Sequence, residues 1–140
     1  MTSRDPAAGR EGWTRREMKG IPAGMEALWT RKVDGGWRYA IALDERHANA
    51  QGLVHGGVLM SFMDHGMSLA IWEATDRAFC STVHLDNHFL AAVRPPAFVE
   101  LDAEITRRGR QLVFARGTLR LDGEAVMEAT GVWSVSRPKS

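Results

Sequence analysis

Nine residues, Asn49-Ala50-Gln51-Gly52-Leu53-Val54-His55-Gly56-Gly57, lead into the one long apolar segment of the chain, and Asp64 follows seven residues after Gly57. Two adjacent glycines at a helix start let a ligand come close to the backbone. The first amides of a helix have no internal partner. With the helix dipole they favour negative charge, including an oxyanion formed from a carbonyl. The plainer reading of Gly56-Gly57 is a tight turn from loop to helix. Asp64 lies far from the helix ends, where an acid is ordinary. A carboxylate in an apolar helix is costly unless it is paired or used. Ser61, Asp64, His65 and Ser68 recur at helical spacing and so share one stripe.

Spacing sets a further condition. Seven residues of helix separate Gly57 and Asp64 by about 10 Å along the axis, on nearly the same side. One reacting carbon cannot sit within hydrogen-bond reach of both in one chain. If both act on one substrate, two copies supply them, which predicts a site shared across a twofold dimer interface.

Other reactive residue types carry less. His47, His55, His65, His84 and His88 all fall within 47–88. His84 and His88, with Asp86 between them on a strand, point to one face and are types that ligate metals. No recognised ligand spacing such as HExxH is present, so they read as polar residues on a strand face. His55 is placed to orient the glycine loop by hydrogen bonds. Cys80, the one cysteine, permits no internal disulfide and reads as a small buried hydrophobe. Arg107-Arg108-Gly109-Arg110 is a compact basic turn, read as a solvated hairpin or as a contact for the phosphates of a nucleotide-containing ligand.

The elements that position these residues follow from periodicity. Residues 1–12 read as a loosely held tail, and Trp13–Gly20 as a short helix ended by Gly20 and Pro22. Met25–Val33 and Gly36–Leu43 read as strands joined by a turn at Asp34-Gly35. The segment from Gly57 to about Ala74 is helical and apolar nearly all round. From about Ala78 to Val135 apolar and polar residues alternate, with turns at Arg94-Pro95-Pro96, Arg108-Gly109-Arg110 and Asp122-Gly123. That gives an α+β domain over 21–140: two strands, one helix, then four strands in an antiparallel meander. The sheet, of about five or six strands, has one apolar face, and the helix is the available cover.

Composition narrows the classes. At 140 residues the chain is one domain. Lys and Arg number 18 against 17 Asp and Glu, which excludes the basic excess of a general nucleic-acid binder. No signal peptide is evident, and Val58–Trp72 is shorter than the roughly 20 residues of a membrane span. The expectation is a cytoplasmic protein with neither nucleic-acid nor membrane partners.

The pattern Asn49-x-x-Gly52-x-x-His55-Gly56-Gly57, followed by Asp64, resembles the hotdog-fold acyl-CoA thioesterases of the PaaI-like group, the phenylacetic acid degradation-related family. The run Thr82–Leu90, then Arg94-Pro95, Arg107–Arg110 and Asp122–Ala125, is similar in order and spacing. The resemblance covers roughly residues 21–136 and implies hydrolysis of an acyl-CoA, aromatic or medium-chain, to a free acid and CoA. It implies Asp64 as nucleophile or general base, with the Gly57 amide polarising the carbonyl beside Gly56. Asn49 would help place water or carbonyl, His55 would support the loop, and Thr82 would bind the water or the acid. Ser61, His65 and Ser68 would line the substrate, and Arg107, Arg108 and Arg110 would meet CoA. No metal or redox cofactor is implied, and the assembly would be a homodimer pairing into a dimer of dimers. His84 and His88 depart from the usual residues at their positions.

Two other functions use the same residues. A hotdog dehydratase or hydratase would use a histidine and an acid, which His55 and Asp64 supply, though the Gly-Gly after His55 favours the thioesterase. A non-catalytic acyl-CoA binder would leave Asp64 structural. Thiol release, enoyl absorbance and the behaviour of Asp64→Asn separate the three.

Overall fold

The computed structural model describes residues 10–21 and 24–137. The tail expected over residues 1–12 falls mostly outside the described residues, as does Pro22. Seven strands and one long helix organise the rest: β1 (Thr14–Glu17), β2 (Ala27–Val33), β3 (Gly36–Leu43), α1 (Gly56–Ala74), β4 (Phe79–Phe89), β5 (Ala97–Arg108), β6 (Leu112–Leu121) and β7 (Glu124–Ser136). All pair antiparallel in one sheet of order β1-β2-β3-β5-β6-β7-β4. This is the hotdog architecture, one helix against a long antiparallel sheet.

Two expectations are corrected. Trp13–Gly20 forms no helix; Thr14–Glu17 is an exposed strand paired to β2. Those four residues have no apolar stripe for a helix to bury, while the free edge of β2 offers unpaired backbone groups. This strand takes the sheet from the expected five or six strands to seven. The second correction is topological. The four later strands are not one meander: β5, β6 and β7 are, but β4 pairs with β7 at the far edge. Its exit explains why. The amides of Leu90 and Ala91 donate to Val126 O on β7, and Pro95 and Pro96 have no N–H to give to a hairpin ladder. The chain therefore crosses to β5 instead of turning back.

α1 seats on the middle of the sheet because glycine permits it. A Cβ on Gly66 would lie 2.3 Å from Leu101 Cδ2, and one on Gly117 of β6 would lie 2.9 Å from Met67 Sδ. Leu59, Phe62, Met63, Met67 and Ile71 of the helix are buried against Val99, Leu101, Val113, Leu119 and Trp133. Each such side chain contributes about 1.5–3 kcal/mol. The outer face of the sheet was expected to be wet. At its β2–β3–β5 end it instead carries a second apolar cluster of Trp29, Ala40 and Phe98, with Trp13 edge-on to Phe98. Among the described residues no helix is long and apolar enough to cross a membrane.

Candidate active site

The loop before α1 is built by its own backbone and one buried histidine. Asp44 caps a short 3₁₀ turn, Glu45–His47, in which Arg46 N donates to its side chain. His47 Nδ1 accepts from Asp44 N at 3.0 Å, so Nε2 carries the hydrogen, directed at Gly24 O 2.7 Å away. His47 O then receives the His55 amide at 2.9 Å, which fixes the start of the helix. The histidine that supports this loop through its side chain is thus His47, and its signal was the Asp44-x-x-His47 capping pattern. His55 is exposed, stands at the N-cap and makes no side-chain cap bond. It serves through its carbonyl, which accepts from Val58 and Leu59.

Asn49 closes the loop on itself. Its Oδ1 accepts from Gln51 N at 2.9 Å and Leu53 N at 3.1 Å, so the carboxamide oxygen is committed to the turn. Gly56 and Gly57 open the helix with no acidic residue in the first turn and no side chain capping their amides. A side chain at Gly57 would meet nothing within 4 Å, whereas one at Gly56 would lie 3.2 Å from the Phe89 ring. The first turn is thus a pair of exposed amide-bearing residues flanked by an aromatic ring.

Asp64 lies further along the same helix, partly buried, and β4 reaches it. Thr82 Oγ1 donates to Asp64 Oδ1 at 2.5 Å. A bulge at Val83 makes this reach compatible with the rest of the strand. Without the extra residue, one parity could not turn both Thr82 and Leu85 toward α1. Along the same side, Cys80 Sγ donates to Ser68 O and Trp133 Nε1 donates to Ser68 Oγ at 2.9 Å. Burial, with the Asp64 charge adding to it, pushes the Cys80 thiol up, which keeps it protonated and a poor nucleophile. Ser61 Oγ turns back onto Gly57 O at 2.9 Å. His65 is half-buried, and its Nε2 is buried with no hydrogen-bond partner among the described residues. Burial lowers its pKa despite the opposing pull of Asp64, so the ring is neutral at pH 7.

The structure thus joins Thr82 to Asp64, and Asn49 and His55 to Gly56-Gly57. It does not join these two groups within one chain, because both stand on a single straight helix. The arginines form a third place. Arg108 bonds the Ala74 carbonyl at the end of α1, and with Arg110 it lines a cavity of about 310 Å³ with Thr75 and Arg137. Arg107 is exposed beside it. Arg137, ion-paired to Asp76 at 3.4 Å, has no local sequence signal. A cavity of about 320 Å³ lies at the opposite end of α1, lined by Asn49, Leu53, Leu59, Phe89, Leu90 and Val93. A larger one, about 860 Å³, lies on the outer face over Trp29 and Phe98. Its Arg15 and Arg46 are already paired with Glu17 and Asp44, and none of Asn49, Gly56, Gly57, Asp64 and Thr82 lines it. His84 and His88 share the outer face of β4, where His88 Nε2 stands 3.4 Å from Asp86.

Comparison with known proteins gives a consistent result. Residues 51–128 match the family model described as the thioesterase superfamily. A Pseudomonas aeruginosa protein named as a candidate esterase is 28% identical over 95 residues, spanning 67% of this chain and 71% of that protein. Among solved structures, a candidate thioesterase from Ralstonia eutropha, described as phenylacetic acid degradation-related, aligns at a TM-score of 0.67 and 26% identity. The alignment covers 96% of this chain and 92% of that one. A Streptococcus pneumoniae hypothetical thioesterase solved with coenzyme A aligns at a TM-score of 0.72 and 19% identity, over 84% of this chain and 92% of that one.

Proposed function

The chain belongs to the thioesterase superfamily, and we propose that it hydrolyses an acyl-CoA thioester to a free acid and CoA in a site shared by two copies. The observation that carries the reading is the Thr82–Asp64 hydrogen bond. It fixes a carboxylate midway along a helix whose uncapped first turn is too far away to meet the same carbonyl. The second copy supplies the missing half. β4 is an eleven-residue edge strand, and Val83, Phe79 and Phe89 on it are 61%, 66% and 49% exposed. A long edge strand with exposed apolar side chains is a template for pairing with another chain.

In the shared site, the Gly57 N–H of one copy donates to the thioester oxygen, and Asp64 of the other acts on the carbonyl carbon. As general base it takes a proton from water while the hydroxide adds. The oxyanion gains hydrogen bonding from the amide as it forms, and the C–S bond then breaks. The CoA thiolate leaves and is protonated. As nucleophile, Asp64 would first form a mixed anhydride that water cleaves. Thr82 holds the carboxylate in either route. The acyl group, aromatic or medium-chain, takes the cavity of about 320 Å³ beside Gly56. The CoA phosphates meet Arg107, Arg108 and Arg110, with Arg137 alongside. From Asp64 to that end of α1 is about 15 Å along the axis, a gap an extended pantetheine arm bridges.

Replacement of Asp64 by Asn tests the reading, with thiol release from a panel of acyl-CoAs as the assay. The expected result is a fall in kcat of about a thousandfold or more, with the melting temperature and CoA binding retained. Undiminished turnover in Asp64→Asn would remove the assignment.

A further inference from the structure

The cavity of about 320 Å³ at the start of α1 opens beside Gly56, one residue from the Gly57 amide. It ends on the main core: Leu59, Val54 and Val93 line it and are themselves buried core residues. A side chain at position 56 would stand 3.2 Å from the Phe89 ring, so glycine there keeps the space between helix and ring free.

The lining takes hydrocarbon. Among the described residues, none that lines the cavity is titratable. Polar groups along its wall are committed elsewhere. Asn49 Oδ1 accepts from Gln51 N and Leu53 N, Val93 O accepts from Val54 N, and the amides of Leu90 and Ala91 donate to Val126 O. An apolar group can enter without leaving any of these unpaired. Of the buried lining residues only Leu59 stands on α1, the element that carries Gly57. It lies two residues past Gly57, about 3 Å along the axis, on the helix face turned to the sheet. A chain led inward past Gly56 therefore runs against its side chain. One turn further on, Phe62 and Met63 are buried, so no second space continues behind it.

We propose that Leu59 is a specificity residue whose side chain ends the acyl cavity and limits the substrate to straight hydrocarbon chains of medium length. The proposal rests on the thioesterase reading above and adds the residue that sets the length of the acyl group. At a liquid share of about 30 Å³ per non-hydrogen atom, a volume of about 320 Å³ admits roughly ten of them, which is an acyl group of about eight carbons with its carbonyl oxygen. Further methylenes would press on Leu59 instead of filling space, and a mismatch of this kind in an apolar pocket lowers the rate.

The test reads thiol release from hexanoyl-, octanoyl-, decanoyl-, dodecanoyl-, tetradecanoyl- and phenylacetyl-CoA. In the wild-type protein kcat/KM should be greatest near octanoyl and lower by about tenfold or more at tetradecanoyl. Leu59→Ala takes away the branched end of the side chain, so the greatest kcat/KM should move to a chain about two carbons longer while octanoyl hydrolysis falls. Leu59→Val takes away a single methylene and disturbs the core less. It should raise the decanoyl-to-octanoyl ratio in the same direction by a smaller factor, and it decides the matter if Leu59→Ala does not fold. Rates that change by one common factor for all chain lengths in a folded Leu59 variant would overturn the inference, since a leucine with only a structural role would move them together. Equal kcat/KM from octanoyl to tetradecanoyl in the wild-type protein, or turnover of phenylacetyl-CoA alone, would also overturn it and leave the thioesterase reading intact. Release of thiol from none of the six would remove the thioesterase reading and the inference with it.

Discussion

The two flanks of α1 are made of different material. Toward β5 and β6 the helix meets the sheet through glycine and sulfur, with Gly66 against Leu101 and Gly117 against Met63 and Met67, and nothing polar lies between them. Toward β7 and β4 polar contacts join the apolar ones: Thr82 of β4 on Asp64, Cys80 of β4 and Trp133 of β7 on Ser68. The first flank lies in the middle of the sheet and the second at its edge. Close packing fills the middle and leaves no room for a ligand. At the edge, groups costly to bury keep access to solvent or to another chain. Close packing and polar contacts thus fall on separate sides of one helix.

That division can be broken by mutation, and the largest effect is the one already named, loss of turnover in Asp64→Asn with folding retained. The core flank should behave in the opposite way. A methyl added by Gly66→Ala meets Leu101, itself fully buried and without room to retreat. Helix propensity favours alanine by about 1 kcal/mol, so any net loss reports the clash. We expect about 1–3 kcal/mol of destabilisation, read as a lower urea midpoint, with kcat per folded molecule kept. A smaller effect is expected from Thr82→Val, which removes the hydrogen bond to Asp64 and nothing from the core. Hydrogen bonds to charged groups are worth about 1.5–3 kcal/mol, so kcat should drop roughly 10- to 100-fold with KM little altered. An equal loss of stability in Thr82→Val would erase the distinction between the flanks.

Local signals in the sequence carried the middle of the sheet well. Period-two alternation marked β5, β6 and β7, and Asp34-Gly35 and Asp122-Gly123 marked turns where the chain reverses, because these depend on neighbours a few residues apart. The edges were illegible for the converse reason. β1 has no apolar face of its own and exists because β2 offers it a ladder. The place of β4 beside β7 depends on partners some forty residues away, such as Asp86 with Thr130. The candidate site divides likewise. The loop, the glycines and Asp64 stand out by spacing. The approach of Thr82 to Asp64 followed only from family resemblance, since a bulge sets it. The His47 side chain holds the loop by bridging Asp44 and Gly24: the Asp44 half has a local capping pattern, while the Gly24 half is a tertiary contact with no local signal.

The central claim is that carboxylate and amide come from different copies, and mixing two defective chains tests it most directly. Asp64→Asn removes the carboxylate. Gly57→Pro removes the amide hydrogen and sets a ring carbon in its place, in a first helical turn that accepts proline and where a Cβ meets nothing within 4 Å. Each variant alone should be nearly inactive. Refolded together in equal amounts, half the dimers are mixed and each carries one intact site, so activity should return to about a quarter of the wild-type value. A mixture no more active than its two components would contradict a site built across two copies.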